Sequence, residues 1–198
     1  MRPCRGNLSD QAEVIEGHTV YLGLGSNLGR RLANLRRAVL RLNETPGIRV
    51  DAVSPVYESE PHTKDSDDTL TEFLNMVVRI RSSLSPEALL DICLSIETAE
   101  GRRRKHGSWL PRTIDIDILA FADYVLNSER LKVPHPRMAE RRFVLLPFAD
   151  LDPDFRVPEP FSATVLELLN DCRDPLRIDR RYSSDAVIPA GGAPNEAK

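Results

Sequence analysis

The stretch Trp109-Leu110-Pro111-Arg112-Thr113-Ile114-Asp115-Ile116-Asp117-Ile118-Leu119 sets two acidic residues inside a segment that otherwise reads as a buried strand. In an extended chain Ile114, Ile116 and Ile118 share one face, and Asp115 and Asp117 share the other. At a rise of ~3.3 Å per residue the two carboxylates stand roughly 6.5 to 7 Å apart and project the same way, a spacing that can bracket one or two hard cations. Two like charges buried on a sheet face are costly unless a metal or a cationic ligand compensates. A half-exposed strand whose polar face meets water would carry the same residues, and an Asp-x-Asp pair alone is weak evidence. Metal binding is preferred here because strands are depleted in Asp, and because an Arg and a Trp sit just before the pair in a segment introduced by Pro111. Upstream, Arg102, Arg103, Arg104, Lys105 and His106, with Arg112, supply cationic donors suited to phosphate. Carboxylates for a metal beside guanidinium groups suggest nucleotide phosphoryl chemistry.

The elements on either side of this strand set the fold class. His18 to Gly25 alternates as a first strand, and Gly25-Ser26-Asn27-Leu28-Gly29 is a turn of small residues and side-chain acceptors. Leu32, Leu35, Val39 and Leu42 recur at helical spacing until Pro46-Gly47. Ile48 to Tyr57 reads as a second strand, Glu58 to Thr71 as a long loop without apolar period, and Phe73 to Ser82 as a third strand. Ser85 before Pro86 is a helix start, and Leu89, Ile92, Ile96 and Ala99 mark a helix ending at Gly101. The acidic pair lies on the fourth strand. Strand, helix, strand, strand, helix, strand is the order of ferredoxin-like sheets, an α+β fold with a mostly antiparallel sheet and ligand groups on the face away from the two helices. A hairpin within Tyr124 to Val133 and helices over Arg141 to Ala149 and Ala163 to Asn170, the last capped by Ser162, are expected to cover the second face. The result would be one three-layer α/β/α domain over 18–182, between a disordered extension (1–17) and a disordered tail (183–198).

A chain of 198 residues supports one substantial core. Its formal net charge of −3 gives no global attraction to nucleic acid or an anionic membrane, so the basic clusters act locally. Cys4, Cys93 and Cys172 are odd in number and lack metal-ligand spacing, which fits a reducing cytoplasmic setting. No apolar run reaches the ~18 to 20 residues of a membrane span, and the first residues lack the apolar core of a secretion signal. Gly23-Leu24-Gly25-Ser26-Asn27-Leu28 lacks the Lys-Ser/Thr of a Walker A loop, and Leu28 stands where a dinucleotide fingerprint needs its last glycine.

Gly25-Ser26-Asn27-Leu28-Gly29, Phe73-Leu74-Asn75 and Arg112-Thr113-Ile114-Asp115-Ile116-Asp117 together resemble the 6-hydroxymethyl-7,8-dihydropterin pyrophosphokinases of folate biosynthesis. Val133-Pro134-His135-Pro136-Arg137-Met138 and Arg141-Arg142-Phe143 extend the likeness over about 18–158. The resemblance implies transfer of the β,γ-pyrophosphoryl unit of ATP to the hydroxymethyl group of a reduced pterin, with release of AMP. It further implies that Asp115 and Asp117 hold two Mg²⁺ ions against the triphosphate, each ion completing its octahedron with phosphate and water. Arg102, Arg104 or Lys105, Arg112, Arg130, His135 and Arg141 match phosphate- and nucleotide-binding positions; a solvated basic helix end is the competing role, credible for Arg103 and Arg104 and poor for Arg112. Glu97 matches a residue near adenine; Leu94 stands where the family often has Gln.

For the pterin, the resemblance implies Asn75 as amide reader, with Tyr57, Phe73 and Phe143 lining or stacking on the ring; core packing is the competing role of each aromatic. An amide in an apolar strand must find partners, which favours a binding role for Asn75. Ser59, Glu60, Pro61 and His62 match pterin-contacting backbone, with Ser59 where Thr is common. Trp109 matches a residue of a loop that closes over the substrates, and closure of 58–71 and 102–111 on binding is expected. A monomer acting on small molecules, without nucleic acid or membrane, follows. Two rivals remain: a two-metal nucleotidyl transferase or cyclase, and a single-stranded RNA binder, which would need exposed stacking aromatics on the middle strands.

Overall fold

In the computed structural model, which describes residues 17–61, 71–101 and 112–188, the element order is β1 (His18–Ser26), α1 (Arg31–Asn43), β2 (Ile48–Val53), β3 (Val56–Ser59), β4 (Phe73–Ser82), α2 (Pro86–Ala99) and β5 (Asp115–Phe121). A small hairpin, β6 (Leu126–Asn127) and β7 (Lys132–Val133), leads to α3 (Arg142–Leu151). The paired strands β8 (Arg156–Val157) and β9 (Ala163–Thr164), α4 (Val165–Asp171) and β10 (Ile178–Tyr182) complete it. The expected ferredoxin-like sheet is present: β4 and β5 flank β1, β2 and β3 lie on the far side of β4, and every pair is antiparallel.

Strand alternation assigns the two faces. Val20, Leu22 and Leu24 of β1, Leu74, Met76, Val78 and Ile80 of β4, and Ile116 and Ile118 of β5 form one core with Leu35, Val39 and Leu42 of α1 and Leu89, Cys93 and Ile96 of α2. On the opposite face Tyr21, Val77, Leu119 and Ala120 pack against Val144, Leu145 and Phe148 of α3 and Val165 of α4. The sheet is therefore covered on both sides, and Tyr21, the aromatic of the central strand, is buried beneath Phe148 and Phe155. The open aromatic face that an RNA-binding sheet needs is filled by α3.

The structure corrects the sequence expectations at several points. The strand expected over Ile48 to Tyr57 is two strands laid end to end along one edge of β4, with Ile48 opposite Ser82 and Tyr57 opposite Asn75. Pro55 has no N–H to give the ladder. Ser54 bridges the break, its N–H donating to the Val77 C=O and its Oγ accepting the Val77 N–H, both at 2.9 Å. Glu58 and Ser59, expected in a loop, are the end of β3. The last helix starts at Val165 and is capped by Thr164 instead of Ser162: Thr164 Oγ1 accepts the Glu167 N–H at 3.2 Å, and Glu167 Oε2 accepts the Thr164 N–H at 2.7 Å. This capping box is written in Thr164-Val165-Leu166-Glu167.

β10 was not anticipated. Four of its five residues are exposed, so an edge strand shows no alternation to read. Order also extends past 183, where a tail was expected: Ser184–Ala186 forms a 3-10 turn, and Val187 is only 1% exposed within the α1/α2 core.

Candidate active site

Register across β1 brings the chemical groups together. Asp115 stands opposite Gly25 and Asp117 opposite Gly23, while on the other side of β1 Asn75 stands opposite Gly25. The two glycines leave the sheet floor bare between acids and amide. A Cβ on Gly25 would lie 3.2 Å from Asn75 Oδ1, and one on Gly23 would lie 3.2 Å from the Leu119 side chain. Beyond Asp117, β5 bulges: Tyr21 pairs with Ala120 and Leu22 with Ile118, leaving Leu119 as the extra residue.

Two clefts open from this floor. The first, with about 910 Å³ of empty space including its mouth, is walled by Ser59, Glu60 and Pro61 after β3, Phe73 and Asn75 of β4, and Arg141 and Phe143 at the start of α3. The second, about 780 Å³ on the same measure, is walled by Leu90, Leu94 and Glu97 of α2 and by Arg130, Lys132, His135 and Pro136. Asp115 and Asp117 line both.

The acids sit among cations. The Arg112 guanidinium contacts the Asp115 carboxylate, and Arg141 Nη1 lies 3.9 Å from Asp117 Oδ2. The walls displace most bulk water around Asp117, although 44% of its side chain can be reached from solvent. That desolvation, with the neighbouring charge of Asp115, pushes the Asp117 carboxyl up to about 6 against the pull of Arg141. Burial likewise pulls the Arg141 guanidinium below its ordinary value, with Asp117 opposing. Two carboxylates on one face whose repulsion is only partly relieved form a fitting donor set for a hard cation. Among the described residues no group of three or more His, Cys, Asp and Glu converges, so a cation here takes its remaining ligands from phosphate and water.

Arg112 is placed by a buried network. Asn27 Oδ1 accepts the Arg112 N–H at 2.6 Å and the Asn27 N–H donates to the Arg112 C=O at 3.1 Å, while Ser26 Oγ and Asn34 Nδ2 donate to the Thr113 C=O at 2.6 and 3.0 Å. Asn27 lines the first cleft and is buried, and its Nδ2 has no hydrogen-bond partner among the described residues. In the sequence Asn27 belongs to the Gly25–Gly29 turn motif, and nothing in that motif singles it out as a site residue.

Asn75 is buried, with Nδ2 donating to Ser59 Oγ at 2.8 Å. Phe73 and Phe143 face the same cleft, and the Arg141 guanidinium lies 5.7 Å from the centre of the Phe143 ring. Tyr57 does not line the cleft: it is buried, and its hydroxyl donates to the Asp150 carboxylate, because its place in the register turns it under α3. His62, Arg102, Arg104, Lys105 and Trp109 lie outside the described residues, as do most of the two loops expected to close.

In the second cleft Glu97 is buried, and its Oε1 accepts the Ile116 N–H at 2.8 Å, tying α2 to β5 between the two acids. Glu97→Ala should strip that buried N–H of its acceptor and lower stability by ~1–3 kcal/mol, whereas Glu97→Gln keeps an acceptor oxygen and should retain most of it; urea unfolding measures both. Arg130 stands at the rim, paired with Asp91 at 2.6 Å.

His135 donates its backbone N–H to the Leu119 C=O at 2.8 Å, and its Nδ1 accepts the Arg137 N–H at 3.2 Å, which assigns the ring proton of the neutral form to Nε2. Burial, then Arg141 and Arg137, pull the imidazole down to about 4. At neutral pH it is an uncharged N–H donor. The folded protein holds this proton less tightly than the unfolded chain, whose histidines titrate near ~6.5. Its contribution therefore lowers stability progressively as pH falls from ~6.5 through about 4. NMR titration should place the His135 midpoint near 4 and shift it upward when ATP is bound.

Fold and site define a class: an α+β phosphoryl-transfer enzyme in which two clefts meet at a pair of acids on one strand. The 7,8-dihydro-6-hydroxymethylpterin-pyrophosphokinase (HPPK) family profile matches residues 21–153. The chain is 46% identical over 160 residues to the 2-amino-4-hydroxy-6-hydroxymethyldihydropteridine pyrophosphokinase of Methylorubrum extorquens, covering 81% of this chain and 96% of that one. It is 43% identical over 153 residues to the protein of that name from Pseudomonas aeruginosa, covering 77% and 91%. The chain belongs to the HPPK family. Among solved structures, a Plasmodium falciparum HPPK-DHPS has the same fold, with a TM-score of 0.62 at 17% identity over 81% of this chain. The chain spans 46% of that longer one.

Proposed function

We propose that the first cleft takes 6-hydroxymethyl-7,8-dihydropterin and the second takes ATP, so that the pterin hydroxymethyl oxygen meets the ATP β-phosphorus above Asp115 and Asp117. The reaction is pyrophosphoryl transfer from ATP to that hydroxyl, with AMP as leaving group, in folate biosynthesis. The observation that carries the division of the clefts is that the same two carboxylates line both.

A pterin is flat and edged with donors and acceptors, so it needs apolar faces and an amide reader. Phe73 and Phe143 supply the faces, Asn75 supplies the amide group, Asn27 lines the same cleft, and Ser59, Glu60 and Pro61 form the rim. Arg112 and Arg141, held by Asp115 and Asp117 in the structure, exchange those carboxylates for phosphate oxygens when nucleotide enters. His135 Nε2–H and Arg130 donate from the second cleft, and Glu97 holds β5 in line. Asp115 and Asp117 would hold the two Mg²⁺ ions, whose charge when bound would neutralise the triphosphate. Catalysis comes from in-line alignment and preorganised charge, with no covalent enzyme intermediate. On this reading the protein acts as a monomer on two small molecules, and free Cys93 and Cys172 fit a reducing cytoplasm. Among the described residues no helix is long and apolar enough to cross a membrane.

Product analysis tests the reading. ATP, the pterin and Mg²⁺ should yield AMP in equal amount to pyrophosphorylated pterin; inorganic pyrophosphate in place of AMP would mean nucleotidyl transfer. In calorimetry, a non-hydrolysable ATP analogue and the pterin should each tighten the other's binding only when Mg²⁺ is present.

A further inference from the structure

After α4 the chain returns to the first cleft from outside and touches three of its walls. Asp174 Oδ2 accepts the Arg142 N–H at 2.9 Å, beside Arg141 and Phe143 at the start of α3. Arg177 reaches the other two walls. Its N–H donates to Glu60 Oε2 and its C=O accepts the Glu60 N–H, both at 3.4 Å, while its Nη2 donates to Glu72 Oε1 at 2.9 Å, next to Phe73. Arg181 Nε then lies 2.6 Å from Glu58 Oε2, a carboxylate side chain only 8% exposed, and Arg31 Nη2 holds the other oxygen at 2.7 Å. Arg31 Nη1 also donates to the Glu72 C=O at 2.6 Å, closing the network across the ends of β3 and β4.

We propose that residues 174–181 are a positioning strap for the pterin cleft, in which Asp174, Arg177 and Arg181 hold the start of α3, the end of β3 and the start of β4 at the separation that a flat ring requires. The proposal rests on the assignment of the first cleft to the pterin. Asp174, Arg177 and Arg181 line neither cleft, so they act through the walls. None of the strap bonds described reaches α2 or 129–136, the walls of the second cleft.

The magnitudes separate this role from ordinary stabilisation. The Arg177 side chain is 64% exposed, and ion pairs in that setting contribute little to global stability. Placement of substrate-orienting groups is far more demanding, since a shift of ~1 Å can cost up to ~10²-fold in rate. Loss of the strap should therefore show in catalysis before it shows in unfolding.

The experiment uses the full chain with Arg177→Ala, Asp174→Ala, the double variant and Arg177→Lys. Arg177→Ala should raise the pterin KM about five- to tenfold and the double variant further, with the ATP KM and the melting temperature near parental values. Arg177→Lys, which keeps a cation for Glu72, should recover at least half of the loss. An unchanged pterin KM in the double variant overturns the proposal. So does a parallel rise in both KM values that tracks a fall in melting temperature, because that is the behaviour of a merely structural contact. Asn75→Ala is the internal control: if it leaves the pterin KM unchanged, the cleft assignment fails and the strap falls with it.

Discussion

Replacing Asp117 with Ala should lower kcat/KM by at least about two orders of magnitude while leaving the Mg²⁺-free protein no less stable than its parent. Loss of one preorganised charge contact at the reacting centre costs ~3 kcal/mol or more in barrier, which is a factor of ~10² or above. The stability half of the prediction has the opposite sign from that of an ordinary buried partner. Desolvation and Asp115 push the Asp117 carboxyl up to about 6, above the ~3.9 of an unfolded aspartate. In the metal-free protein its ionised form is therefore a burden on the folded state, fully present above pH 6 and gone below about pH 4, where both states are protonated. Melting curves without Mg²⁺ should show Asp117→Ala equal to or above the parent at pH 7.5, with the advantage shrinking toward pH 4. AMP release at saturating Mg²⁺ gives the catalytic half, and near-parental turnover there would sink the assignment of this acid.

Asn75→Leu carries the second large effect, and it should fall on one substrate only. The side chain is buried on β4, directly opposite Gly25 of β1, and donates to Ser59 Oγ at 2.8 Å. Leu has nearly the same volume but leaves a bound pterin's polar edge facing a hydrocarbon, and sites built on hydrogen bonds discriminate strongly against that mismatch. The expected outcome is a loss of about 10² in kcat/KM for the pterin, carried mainly by KM. Binding of an ATP analogue should be unaffected, because no wall of the second cleft is altered. Ser59 is itself buried and loses this partner, so unfolding should also shift, by ~1–3 kcal/mol. Equal losses for both substrates would mean that Asn75 supports the whole sheet instead of reading one ligand.

Much of this architecture was legible before any coordinates. The strand Phe73–Ser82, the helix begun by Ser85-Pro86, and the faces of Asp115 and Asp117 follow from local periodicity and capping chemistry, which depend on near neighbours. The capping box at Thr164 was equally local and was overlooked in favour of Ser162. Other features carried no such signal. β10 is an exposed edge strand held by backbone pairing to β3, and Val187 is buried by a contact with the far side of the domain. Tyr57 reads as a site aromatic in sequence, yet the register turns its hydroxyl to Asp150 under α3.

The sequence by itself determined the order of strands and helices as far as the acid-bearing strand, apart from the break at Ser54-Pro55, the placement of two acids on one face of that strand, and the membership of a pyrophosphokinase family through motifs with fixed spacing. Tertiary structure alone decided that these acids are shared by two clefts, that Gly23 and Gly25 clear the floor beneath them, and that buried Glu97 and Asn27 hold the backbone at Ile116 and Arg112. The physical reason is range. Periodicity and capping are set within a few residues, whereas desolvation and cavity walls arise when segments as much as 85 residues apart, such as Asn27 and Arg112, displace water from one another.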